Sequence, residues 1–241
     1  MLIPFSLFPT HKLIKKFNFD FSNFENIAEH WIQMQEYLNL STKENIFVKT
    51  HNAMCTINKN KFTNKQNSLG AIYLVRDPRD IIISYSNFLK KSYDEVATYL
   101  FNSENFEYSN INGKQFDFTL TGSWSDNYNS WKNYKSIEVL VIKYEDMISD
   151  TQNTFIKIIK YLNKINNIKI DNKKIKSCIN LTSFKNLRKI EEEKGFIEKG
   201  FGEFFFRKGK VGDWKEKLNQ DLVKKIEEKF KLEMKELGYI D

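Results

Sequence analysis

The chain has 241 residues, 41% of them hydrophobic, and a formal net charge of +7 from 38 Lys and Arg against 31 Asp and Glu. That is enough apolar material for one sizeable core, and no Pro/Gly/Ser-rich linker divides it, so a single domain over residues 1–241 is expected. Its two cysteines, Cys55 and Cys178, form neither a CxxC nor a zinc pattern, which argues against a disulfide framework and a metal site and predicts two free thiols in a reducing, cytoplasmic setting.

Residues 2–8 are apolar but far too short to span a bilayer, and they lack a basic flank and a small-residue cleavage site. Residues 23–38 read as an amphipathic helix, with Phe24, Ile27, Trp31, Met34 and Leu38 on a core-facing stripe. A short strand is expected at 46–48, running into Lys49, Thr50 and His51. Residues 71–75 form a second strand pattern, which meets Arg76-Asp77-Pro78-Arg79-Asp80 and a new apolar run from Ile81 to Tyr85. Proline ends a ladder and suits the first turn of a helix. This segment therefore reads as strand, turn and helix, with free N–H groups and arginine forks able to take a phosphate or sulfate; a solvated Arg-Asp turn with surface ion pairs is the competing reading.

Residues 93–101 are expected as helix and 102–113, rich in Asn and Ser, as loop. The aromatics Phe106, Tyr108, Phe116 and Phe118 fit either an acceptor pocket or simple burial against a sheet. A strand at 139–143 places Tyr144-Glu145-Asp146 at its C-terminal end, where open α/β sheets bind ligands. A helix follows at 154–162. Gly195, Gly200 and Gly202 precede Arg207 like the hinges of a lid, although an ordinary surface loop would look the same. A charged helix spans 220–237, with Leu222, Ile226, Phe230 and Met234 along one face. This alternation of helix and strand is that of a doubly wound α/β fold.

Arginine is scarce: Arg76, Arg79, Arg188 and Arg207 are the four in the chain. Lysine supplies the generic charge, which leaves arginine for planar, bidentate recognition. Arg207 opens a second basic turn, Arg207-Lys208-Gly209-Lys210-Val211-Gly212-Asp213-Trp214, and two separated basic turns suggest one multi-phosphate ligand. His51 follows a strand beside Lys49 and Thr50, which raises it above an ordinary half-buried histidine; His11 and His30 have no such setting.

In this order the segments Val48-Lys49-Thr50-His51-Asn52, the Arg76 to Ser84 stretch, Gly122-Ser123-Trp124 with Trp131, Val141-Ile142-Lys143-Tyr144-Glu145-Asp146, Leu181-Thr182-Ser183-Phe184 and the Arg207 to Trp214 turn resemble the cytosolic-type sulfotransferases that use 3′-phosphoadenosine 5′-phosphosulfate. The resemblance covers roughly residues 46–218. It implies a P-loop NTPase-like three-layer α/β domain with a central parallel sheet flanked by helices. It also implies sulfuryl transfer to a hydroxyl or amine of a small-molecule acceptor, with no metal and no nucleic-acid or membrane partner. Arg76 and Ser84 would hold the 3′-phosphate, and Arg207, Lys208 and Gly209 would close over it. Tyr144 and Thr182 would meet the adenine, with Phe184 near its face. His51 would be the general base and Lys49 would lie near the transferring group, while Trp214 would anchor the closing loop. Sulfuryl transfer, like phosphoryl transfer, needs an in-line nucleophile and cations facing negative oxygens, which these residue types supply.

The family's glycine-bearing loop for the 5′-phosphosulfate has no counterpart here, since no glycine precedes Gly70. The sheet is therefore expected to lack its first strand. A fragment or misplaced start, an inactive nucleotide-binding relative, and a chain completed by another are three open explanations, and under each the chain alone is expected to be poorly stable or inactive. Two other function classes stand beside sulfuryl transfer. A P-loop kinase lacks its GxxxxGK[ST] motif, Gly195 to Gly200 being followed by Phe201. A basic nucleic-acid-binding module lacks a recognisable signature.

Overall fold

The computed structural model describes residues 6–17, 19–20, 23–41, 45–111, 114–167, 170–196 and 200–241. Contacts group the chain into two compact units, one of Met1–Ala71 with Asn102–Val139 and the other of Ile72–Phe101 with Leu140–Asp241.

The first unit holds the helices His11–Phe17, Phe24–Glu29 and Trp31–Leu40, a parallel pair of short strands at Ser6–Leu7 and Val48–Lys49, the hairpin of Thr56–Ile57 with Asn60–Lys61, a longer hairpin of Phe106–Ile111 with Lys114–Leu120, and the helix Trp124–Lys132. The apolar stripe of 23–38 is core as expected: Ile27, Trp31 and Met34 are fully buried. It runs over two helices, however, because His30 breaks the first at φ −103° and ψ 0°, its ring nitrogen bonding the Asn26 carbonyl at 2.8 Å and its ring stacked on Phe19. Edge-on rings fill the centre. Phe62 meets Phe8, Trp31 and Trp131 with centroids 5.8, 5.1 and 6.2 Å away, and Phe24 packs on Trp31 and Phe106. Such contacts add directional preference to a large buried area.

Two further expectations change in this unit. The strand lies at Val48–Lys49, and Ile46 and Phe47 are outside it and exposed. Much of 102–113 is strand, because the polar run from Phe106 to Ile111 pairs antiparallel with Lys114–Leu120; cross-strand pairing overrides the weak β-propensity of Asn and Ser. Phe106 packs on Phe24, while the side chains of Tyr108, Phe116 and Phe118 lie outside the described residues.

The strand Gly70–Val75, most of it in the second unit, pairs with Glu138–Lys143, and the helices of that unit are Pro78–Leu89, Tyr93–Phe101, Tyr144–Ser149, Thr151–Asn166, Asn172–Leu181, Phe184–Lys194, Trp214–Lys217, Gln220–Lys229 and Lys231–Glu236. Val75, Ile82, Ile83, Val96, Ile142, Ile226, Phe230 and Met234 form its core. The helix expected over 220–237 is two, broken at Phe230 (φ −112°, ψ 23°), whose buried ring meets Phe101 at 5.4 Å. Among the described residues no helix is long and apolar enough to cross a membrane.

Candidate functional site

The turn after Val75 is built from its own carboxylates. Asp77 caps the helix by accepting from the Arg79 N–H at 2.9 Å, and Pro78 occupies the first turn, where the lost N–H costs no helical bond. Arg79 is 4% exposed. Its guanidinium grips Asp77 at 3.0 and 2.7 Å, reaches Glu227 and the Tyr239 carbonyl, and lies 3.8 Å from the Trp214 ring centroid. Of the two arginine forks this one is therefore structural. The Tyr239 hydroxyl donates to Glu145 at 2.8 Å, and Glu145 accepts the Asp77 N–H at 3.0 Å. Burial, with Glu145 alongside, pushes the Tyr239 phenol well above its usual range, so it stays a donor.

Arg76 is the other fork. It stands over the Tyr144 ring at 4.3 Å and donates to the Lys210 carbonyl at 3.0 Å, with Asp80 4.0 Å away. Strand end, helix start and basic turn thus meet at one guanidinium, which carries both a charge and a planar donor fork.

The basic turn is clamped on both sides. Buried Glu191 takes the N–H groups of Phe205 at 2.6 Å and Phe206 at 2.9 Å, and buried Asp80 takes those of Gly212 at 2.7 Å and Trp214 at 3.2 Å. Arg188 bonds the Phe206 carbonyl, and Phe201 N–H reaches the Phe88 carbonyl. Between the clamps Arg207 and Lys208 both pair with Asp213, and the Lys208 hydrogen bond holds the Asp213 carboxyl below its usual range. Gly209, at φ +61°, packs closely against the Phe184 ring; a Cβ there would sit 2.5 Å from a ring carbon. Only glycine suits that backbone at that distance.

The remaining expected nucleotide contacts are looser. Ser84 is exposed on the helix Pro78–Leu89, and Thr182 caps the helix Asn172–Leu181 with its hydroxyl returned to the Cys178 carbonyl at 2.7 Å. Arg76, Tyr144, Gly209, Phe184, Arg207 and Lys208 are thus tied to one another or to the clamped turn; Ser84 and Thr182 have no described contact with it. Sequence reasoning missed Asp80, Glu191 and Asp213. Their partners lie 132, 14 and 5 residues away, and Asp213 alone, beside two cations, carried a local signal.

In the first unit Lys49 ends the short strand, its carbonyl taking the Phe8 N–H at 2.7 Å. His51 Nδ1 lies 2.8 Å from both carboxylate oxygens of Glu107. Asn127 donates to the His51 carbonyl at 3.1 Å. Next to it Asn52 is fully buried; its carbonyl accepts from the Trp131 indole and its side chain from the Leu120 N–H, each at 2.9 Å. The histidine backbone is thereby fixed, while its side chain is 42% exposed.

A sulfotransferase domain family model matches residues 11–238. The chain is similar to an amine sulfotransferase of Oryctolagus cuniculus, 27% identical over 181 residues covering 71% of this chain and 56% of that one. It is also similar to Sulfotransferase 2A1 of Rattus norvegicus, 31% identical over 180 residues covering 70% and 56%. It therefore spans little more than half the length of these relatives. Among solved structures it resembles a mouse sulfotransferase complexed with PAP, with a TM-score of 0.60 at 21% identity over 84% of this chain and 71% of that one. Retinol dehydratase in complex with androsterone and inactive cofactor PAP follows, with 0.57 at 21% over 88% and 64%. These likenesses establish the α/β, P-loop-like fold.

Proposed function

Because the chain belongs to the sulfotransferase domain family, we propose that it transfers a sulfuryl group from 3′-phosphoadenosine 5′-phosphosulfate to a hydroxyl or amine of a small-molecule acceptor. The observation that carries this is the Arg76 node, where one guanidinium joins the strand end, the Tyr144 ring and the basic turn. The donor set fits the ligand's 3′ side: a mostly buried guanidinium, two further cations and a glycine backbone packed against an aromatic ring. Arg76 and Ser84 would hold the 3′-phosphate, with Arg207, Lys208 and Gly209 closing over it. Tyr144, Thr182 and Phe184 would face the adenine. No residue is assigned to the 5′-phosphate itself.

The co-substrate, when bound, supplies the sulfuryl group; the protein's part is orientation and the proton. His51 would take the acceptor's proton and Lys49 would stabilise charge on the transferring oxygens. The match across 11–238 runs through both compact units, which supports treating them as one domain. The two free thiols, Cys55 and Cys178, support a cytoplasmic setting.

Calorimetric titration with adenosine 3′,5′-bisphosphate and with adenosine 5′-monophosphate tests the nucleotide assignment. The bisphosphate should bind more tightly, and Arg76→Ala should weaken it selectively by about 2–4 kcal/mol. Equal losses for the two ligands would refute the 3′-phosphate role of Arg76.

A further inference from the structure

We infer that Glu107 is a positioning residue that sets the tautomer of His51, an inference that rests on His51 serving as the base. An ionised carboxylate only accepts hydrogen bonds, so the ring nitrogen 2.8 Å from both its oxygens is the one carrying hydrogen. With Nδ1–H donated to Glu107, the lone pair of the neutral ring is at Nε2, and the proton leaving an acceptor hydroxyl has one defined destination. As that proton arrives, the carboxylate faces the imidazolium that forms, the arrangement by which a buried acid supports a catalytic histidine elsewhere.

The hairpin is built to deliver this contact across 56 residues of sequence. Phe106 turns into the core against Phe24, so strand alternation sends Glu107 to the opposite face. Glu107 pairs with Thr119, and the register then shifts, Tyr108 pairing with Asp117, so a bulge in the partner strand interrupts the ladder beside Glu107. The neighbouring Leu120 is tied to the His51 segment by two bonds, from Ala53 N–H to its carbonyl at 2.7 Å and from its own N–H to the Asn52 side chain at 2.9 Å. The strand that sets the position of Glu107 is therefore fastened to the residues just after His51.

The test is long-range proton–nitrogen NMR of the full chain without nucleotide or acceptor, His51 being assigned by the signal lost in His51→Gln, together with steady-state kinetics. The parent chain should show the Nδ1–H tautomer. Glu107→Ala should move it to Nε2–H and lower kcat about tenfold with acceptor KM unchanged, whereas Glu107→Gln, whose amide oxygen can still accept, should keep the tautomer. Retention of Nδ1–H in Glu107→Ala would overturn the inference, as would an unchanged kcat in an active chain. A tautomer that responds in a folded chain incapable of sulfuryl transfer would uphold the positioning contact and overturn the proposed activity of the chain instead.

Discussion

Cys55 is half-buried, with the Asn52 amide 3.6 Å from its sulfur, and burial pushes its thiol up to about 11 from an ordinary value of 9.0. Cys178 is exposed. With the folded value above the unfolded one, the stability the Cys55 thiol contributes is whole below about pH 9 and is lost as the pH rises through about 11. At neutral pH iodoacetamide should modify Cys178 first and Cys55 only slowly, read by mass spectrometry of tryptic peptides; equal rates would contradict the shift. Such differences between like residues were hidden in the sequence. Arg76 and Arg79 stand three apart in one motif, yet Arg79 is locked into Asp77 and Glu227. Glu191 heads a run of three glutamates, but it alone is buried on backbone N–H groups while Glu192 and Glu193 pair with Arg188 and Lys189 on the surface. Burial depends on what folds over a side chain, which spacing does not record.

Among the elements, residues 200–213 form neither helix nor strand, and carboxylates on two helices hold the backbone from Phe205 to Trp214. Removing one leaves amide groups without their acceptor, a cost of about 1–3 kcal/mol for a buried group. Asp80→Ala and Glu191→Ala should each raise amide hydrogen exchange across 205–214 and weaken bisphosphate binding about tenfold, the equivalent of 1.4 kcal/mol. Unchanged exchange in both would show that the turn holds its form by other means. The strand and helix around Pro78 were legible because proline, its capping aspartate and the apolar runs agree locally. The breaks at His30 and Phe230 were not, since in each case an uninterrupted apolar stripe continues across the break and the bend is set by what the ring packs against. The hairpin from Phe106 was misread because its first strand is polar, and the Asn112-Gly113 dipeptide between the strands, a hairpin signal in the sequence, was read as part of an Asn- and Ser-rich loop. For the same reason Glu107 gave no sign of its contact with His51.

On the scale of the molecule, the chain passes between its two units three times, so neither is a continuous stretch of sequence. Residues 140–241 alone lack the helix Pro78–Leu89, and with it Ile82, Ile83, Arg79 and Asp80, all buried. That fragment should give little cooperative thermal unfolding by circular dichroism, and a peptide of residues 72–101 should restore it. A cooperative transition in the fragment alone would show that its helices need no partner. The excess charge is also unevenly used. All four arginines are engaged by the chain's own carboxylates or carbonyls, which leaves the net +7 to lysine.

If the turn takes a phosphate as proposed, the pairing of Arg207 and Lys208 with Asp213 would make that capture an exchange. An incoming group replaces a carboxylate as well as water, so a singly charged anion swaps like for like and gains little Coulomb energy. A doubly charged one gains the difference. On the proposed nucleotide site the turn would thus discriminate by valence before shape is consulted, with Asp213 setting the threshold.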